Sequence, residues 1–220
     1  MPTRSTTPFI ENIYRQFPGQ PVAFLDEAYR GFERPGEQPF YLFTAVIVKP
    51  DDMESMRKEL LDITGSSYWH TSESLRTPDG RDRAKEMLEY LIDGIEPILI
   101  AKKVAVDPAD STLEEARRTC FRRLAVGLTS GVENVCEPVK LIVIERRNTA
   151  ALLKIDSRTF SDLVSEGAVP RTSRLVQASP SDDRLLWLPD VVSSAVRRSM
   201  AVGDDAMYDI VKKGVHFMVA

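Results

Sequence analysis

Four acidic residues in this sequence stand where a fold can gather them. Asp26 closes the apolar run "VAFLD" (22–26), with Glu27 directly behind it. Glu145 closes "VKLIVIE" (139–145), and Asp190 follows Pro189 in what reads as the first turn of a helix. Successive side chains on a strand point to opposite faces. Asp26 therefore shares a face with Val22 and Phe24, Glu27 takes the other face, and Glu145 lies with Leu141 and Val143. Carboxylates delivered by separate strand and helix ends suit divalent-metal binding, because Mg²⁺ takes hard oxygen ligands. A metal pair can then hold the attacking and leaving oxygens of a phosphoryl transfer. Taken singly, each acid also has a plain structural reading, since carboxylates often end strands and an Asp in a first turn meets the helix dipole favourably.

Other chemistries lack their residues. The sequence has no phosphate-cradling GxxxxGK[ST], no GxGxxG and no HExxH. A Ser-His-Asp triad would have to draw on His70 or His216, the only two histidines, and no nucleophile elbow accompanies them. Cys120 and Cys136 have neither CxxC spacing nor a His pair, which argues against zinc and predicts reduced thiols in a cytoplasmic protein.

The elements that must position the acids follow from periodicity. Residues 1–20, punctuated by Pro2, Pro8, Pro18 and Gly19, read as an irregular lead-in. "VAFLD" is a first strand buried on both faces, "RGFERPGEQP" a polar connection, and "FYLFTAVIV" (40–48) a second strand. So short a link predicts an antiparallel hairpin. Met53, Met56, Leu60 and Leu61 predict a helix over 51–64, and "SSYWHTSESLRTPDGR" reads as a loop. Leu88, Leu91, Ile92 and Ile95 predict a helix over 80–95, followed by a third strand at 97–106. Ser111 and Glu114 have capping-box spacing before a helix over 112–129. After the strand at 139–145 come a short helix around Phe160, Leu163 and Val164, a fifth strand at 174–179, and a last helix from about Pro189. The layout is mixed α/β. The tail "GVHFMVA" reads as an edge strand that pairs with another chain, which leaves a homo-oligomer or a protein partner open.

At 220 residues, with 43% hydrophobic and 28% charged residues, the chain has the composition of a soluble globular protein. It has no run long enough to span a bilayer and no apolar signal core at "MPTRSTTPFI", so no membrane partner and no secretion are expected. A net charge of −4 does not mark a nucleic-acid binder. The arginines are nevertheless clustered, in "RRTCFRR" (117–123), "ERRN" (145–148), "PRTSR" (170–174) and "AVRRS" (195–199), and their convergence on one cleft would change that reading.

"FLDEAYRG" followed by "YLFTAVIV" resembles the opening of the bacterial domain-of-unknown-function family 3800, whose members typically begin with a strand ending in Asp-Glu-Ser. "LIVIERR" resembles the family's later strand ending in an acid. "RLLWLPDVVSSAVRR" resembles its last segment, where an Asp early in a helix is followed by small residues. "YWHTSES" resembles its middle segment, which carries His and Glu or Lys near a helix start. The resemblance covers about residues 20–200. It implies a ribonuclease H-like fold: a mixed sheet of about five strands with an N-terminal antiparallel hairpin and helices packed on it, as a single domain over 1–220.

Position by position, the resemblance implies Asp26 as a bridging metal ligand, with Glu145 and Asp190 completing two sites for Mg²⁺ or Mn²⁺. It adds Glu73 as a further catalytic residue and His70 to orient a water or a phosphate. Asp182 and Asp183 are alternates to Asp190 if the last helix starts elsewhere. Ala28 stands where the family has Ser, Tyr29 and Arg30 precede Gly31, Glu145 replaces a commoner Asp, and Pro189 replaces a small residue. Two functions stay open. One is a divalent-metal-dependent nuclease or related phosphoryl-transfer enzyme with nucleic acid as its partner. The other is a catalytically degenerate binding module acting in a phage-defence or mobile-element complex.

Overall fold

The structure, a computed structural model, describes residues 6–32, 37–94 and 96–220. Helix α1 (Pro8–Tyr14) leads into strands β1 (Val22–Arg30) and β2 (Phe40–Val48), then helices α2 (Met53–Thr64), α3 (Thr71–Ser74) and α4 (Pro78–Asp93). Strand β3 (Ile98–Lys103), helix α5 (Glu114–Ser130), strand β4 (Leu141–Glu145), helix α6 (Ala150–Ser165) and strand β5 (Arg174–Ala178) follow. A 3₁₀ turn (Arg184–Leu186) then runs into α7 (Trp187–Val202), α8 (Tyr208–Val211) and β6 (Val215–Val219). The sheet order is β5-β4-β1-β2-β3-β6. β2 is antiparallel to both of its neighbours and the remaining pairs are parallel.

Both faces of the sheet are covered, which is why its central strands read as unbroken apolar runs. Val22, Phe24, Leu141 and Val143 pack beneath α7 and α4, with Val191, Val192 and Leu88. Ala23, Leu25, Ile142 and Ile144 pack on the other face under α5 and α6, with Phe121, Leu124 and Leu163. Among the described residues, no helix is long and apolar enough to cross a membrane.

Several expectations are corrected. β1 does not end at Asp26: its pairing with β2 continues to Arg30 opposite Phe40, so the acids lie inside a strand. The lead-in contains α1, with Pro8 at a helix start that tolerates it and Ile10 and Ile13 buried; residues 1–5 lie outside the described part, as do 33–36 of the hairpin connection and Ile95. The segment taken as a loop holds α3 and the start of α4, which Thr77 caps by accepting from the Gly80 N–H. The Ser111–Glu114 box does not form. Leu113 takes a left-handed φ of 61°, and the Asp110 carboxylate accepts from the N–H groups of Glu115 and Ala116 at 3.2 and 2.8 Å instead. α6 is a full 16-residue helix rather than a short one. The tail is an edge strand as expected, β6, a sixth strand that pairs with β3 of its own chain.

Candidate active site

The site exists because two pairings of β1 end at different places. β4 accompanies β1 only from Val22–Leu141 to Leu25–Ile144, whereas β2 accompanies it as far as Arg30. From Asp26 onward the β4-facing edge of β1 is open, and a cleft of about 670 Å³ occupies the space. Asp26, Glu145 and Asp190 all line it. Asp26 and Glu145 reach it from the same sheet face, as alternation requires. Asp190 arrives on the first turn of α7, the helix packed across β1 and β2.

The cleft disfavours the charged form of each of the three acids. Asp26 is only 9% exposed. Burial pushes its carboxyl well above the usual range, and the charges of Asp190, Glu27 and Glu145 push it further, against an opposing hydrogen bond from the Glu27 N–H. Glu145 is raised to about 7, first by burial and then by Asp190 and Glu27. Burial also raises Asp190, although the Thr71 N–H donates to its Oδ2 at 3.1 Å and the His70 charge favours its ionised form. Among the described residues, no lysine or arginine pairs with any of the three.

These residues fit a hard divalent cation by donor chemistry. They are oxygen-only ligands, largely withdrawn from water, whose mutual repulsion a cation would relieve. The side chains do not already form a cage: no group of three His, Cys, Asp or Glu among the described residues is arranged to hold a metal ion.

The other predicted residues are placed as follows. His70 lines the cleft, with Nδ1 3.2 Å from Ser72 Oγ. Glu73 does not reach it; it is exposed and accepts from Tyr68 Oη at 3.3 Å. The cause is the rotation of α3. Thr71 is buried, with its N–H on Asp190 and its Oγ1 accepting from Trp69 Nε1, and Glu73 two positions later lies roughly 200° around the turn. Asp182 and Asp183 are structural and do not line the cleft. Asp183 is fully buried and accepts from Arg57 Nε (3.0 Å) and Nη2 (2.6 Å), Tyr14 Oη (2.5 Å) and the Leu185 N–H (3.0 Å). Asp182 accepts from the Ser179 N–H and Thr7 Oγ1.

Glu27 belongs to a second charged cluster on the opposite face. It pairs with Arg117, which is 2% exposed, donates twice to Asp156 at 3.1 and 2.8 Å, and donates to Tyr41 Oη at 3.0 Å. Burial of Glu27 raises its carboxyl, and the Arg117 charge opposes the rise. Sequence reading missed this cluster, although it had a signal: Arg117 stands three and four residues before Cys120 and Phe121, on the apolar stripe of α5. Two of the four arginine clusters do converge on the cleft, through Arg146, Arg147 and Arg197. Arg147 pairs with Glu114, and Arg197 Nε donates to the Tyr29 carbonyl at 2.8 Å. Arg174 of the 170–174 cluster instead donates to Gln16 Oε1 at 2.6 Å.

Strand order, strand polarity and helices on both faces define a mixed α/β fold, a six-stranded mixed sheet built around an N-terminal antiparallel hairpin. No family model matches the sequence, and no curated protein matches it. Among solved structures the chain is similar to Bst-RNase HIII in complex with Mn²⁺, at 16% identity over 91% of this chain and 65% of that one, with a TM-score of 0.48. It is similar also to a mutant protein of Bst-RNase HIII, at 15% identity over 89% and 63%, with a TM-score of 0.46. The chain spans less than two thirds of the length of either.

Proposed function

We propose that this cleft is the active site of a divalent-metal-dependent nuclease or related phosphoryl-transfer enzyme, in a member of the domain-of-unknown-function family 3800. The observation that carries the reading is the meeting of Asp26, Glu145 and Asp190, from β1, β4 and α7, in one cleft with no basic counter-ion among them. These three residues would hold Mg²⁺ or Mn²⁺. Bound there, a divalent ion supplies Lewis-acid stabilisation of charge on a phosphoryl oxygen.

The protein's own groups do the rest. The N–H groups of Glu27 and Thr71 orient the carboxylates of Asp26 and Asp190. Arg146, Arg147 and Arg197 offer guanidinium groups to the phosphates of a nucleic acid, through charge-assisted hydrogen bonds that position without reading sequence. Arg117 engages Glu27 on the opposite face and offsets its charge there. His70 is exposed and lines the cleft, and it would orient a water or a phosphate there. Glu73 has no part in this reading.

A second reading, a catalytically inactive module of the same fold, is favoured by one observation: the acids are not gathered into a metal-binding group. Cleavage of single-stranded, duplex and hybrid substrates in Mn²⁺, beside an Asp26→Asn variant, separates the two. The enzyme reading expects cleavage by the wild type, an activity at least about a hundredfold lower in the variant, and Mn²⁺ binding by calorimetry that the variant loses. Cleavage that survives Asp26→Asn refutes the assignment. Nucleic-acid binding with neither cleavage nor Mn²⁺ binding favours the inactive module.

A further inference from the structure

Tyr29 is one of the residues that part this sequence from the Asp-Glu-Ser opening it resembles, and it is the outermost ring of an aromatic series. Its ring stacks on Tyr41 with centroids 5.6 Å apart and planes 9° from parallel. Tyr41 lies 6.4 Å from Phe43, and Phe43 lies 5.6 Å from Phe121. The inner three rings are buried, whereas Tyr29 is 49% exposed. Tyr41 is pinned, because its hydroxyl accepts from Arg117 Nη1 at 3.0 Å. The backbone of Tyr29 is held too, its carbonyl accepting from Arg197 Nε at 2.8 Å. One face of the Tyr29 ring therefore rests on a fixed partner, while about half of the residue is open to solvent.

Both tyrosines line the cleft that holds Asp26, Glu145 and Asp190, with Arg146, Arg147 and Arg197 beside them. Tyr29 stands three residues beyond Asp26 on β1, about 10 Å along the strand, and on the opposite face. The open edge of β1 joins the two faces, so a ligand passing the carboxylates can bend round to the tyrosine. Guanidinium groups next to an open aromatic ring are the combination that binds single strands, the cations holding the backbone while bases stack on the ring. A base inside a duplex already has both faces stacked and must be unstacked to use such a ring.

We propose that Tyr29, backed by Tyr41, is a stacking subsite for an unpaired nucleobase, so that the nucleic acid taken by this cleft carries a single-stranded segment beside the carboxylates. The inference rests on the reading of the cleft as a nucleic-acid site, and its test uses binding as well as cleavage. The full chain in EDTA, where cleavage is blocked, is titrated into a single-stranded oligonucleotide carrying one internal 2-aminopurine, and into the matching blunt duplex.

Wild type is expected to quench the single-strand signal. Tyr29→Ala is expected to abolish the quenching and weaken single-strand binding about tenfold or more, with duplex binding little changed, while Tyr29→Trp retains both properties. A far-ultraviolet spectrum and thermal melt confirm that each variant folds. An unchanged single-strand affinity in Tyr29→Ala, equal losses for single strand and duplex, or no quenching by wild type overturns the proposal. Quenching that depends on Tyr29 in a protein that never cleaves in Mn²⁺ sustains the subsite and removes only the nuclease reading.

Discussion

Replacing Glu145 with Gln is expected to make the metal-free protein more stable under mildly alkaline conditions and to change little in acid. The Glu145 carboxyl is lifted from an ordinary 4.5 to about 7, by burial first and by Asp190 and Glu27 after it. The folded state thus holds this proton more tightly than the unfolded chain does. The resulting contribution to stability is fully present below the unfolded value and is lost as the pH rises through about 7. A lift of this size is worth about 3 kcal/mol, and the partial exposure of Glu145 brings the expectation to about 1–2 kcal/mol. Gln cannot ionise, so the variant escapes the penalty.

Urea denaturation in EDTA at about pH 4, 6 and 8 reads the effect as a gain that grows with pH. A melt in the alkaline sample reads it as a rise of about 3–6 °C for a chain of this size. A variant no more stable than wild type at the alkaline end, or one with the same gain in acid, refutes the claim that crowded carboxylates strain this cleft.

The two buried charge clusters make sharper demands. Arg117→Met leaves Glu27 and Asp156 without their shared cation and is expected to cost about 3–5 kcal/mol, measured from the denaturation midpoint; a loss under about 1 kcal/mol would mean that the cluster is screened by water. Asp183→Ala strands Arg57, a residue 6% exposed, and is expected to cost about 3–5 kcal/mol as well. Calorimetric Mn²⁺ binding should be unchanged in that variant, and a weakened isotherm would return Asp183 to the list of candidate ligands.

Much of the candidate site was legible because strand alternation is a local rule. The placement of Asp26 with Glu145, and of Glu27 on the reverse face, needed only the period of two and two apolar runs. The position of Asp190 in a first turn also survived, with α7 beginning at Trp187, two residues before Pro189. Errors arose where particular contacts, near or far in sequence, outvoted the spacing rule. Ser111 had the spacing for a cap, but the chain turns through Leu113 and Asp110 does the capping. Glu73 had the right neighbours, but the anchoring of Thr71 to Asp190 turns it outward. The apolar tail is the edge strand its pattern suggested, but local pattern could not name its neighbour, the outer edge of β3.

By itself, then, the sequence determined the strands, the faces of their side chains and the arrival of carboxylates on a common face, because covalent geometry and hydrophobic burial act at every residue. Tertiary structure decided where β4 stops accompanying β1, which of Asp183 and Asp190 enters the cleft, and that an arginine on an apolar helix stripe completes a buried cluster with Glu27. Those outcomes depend on groups dozens of residues apart, whose meeting no local period encodes. The cleft itself is the clearest case. It is the space left where one strand pairing ends four residue pairs after it begins while the other runs on to Arg30.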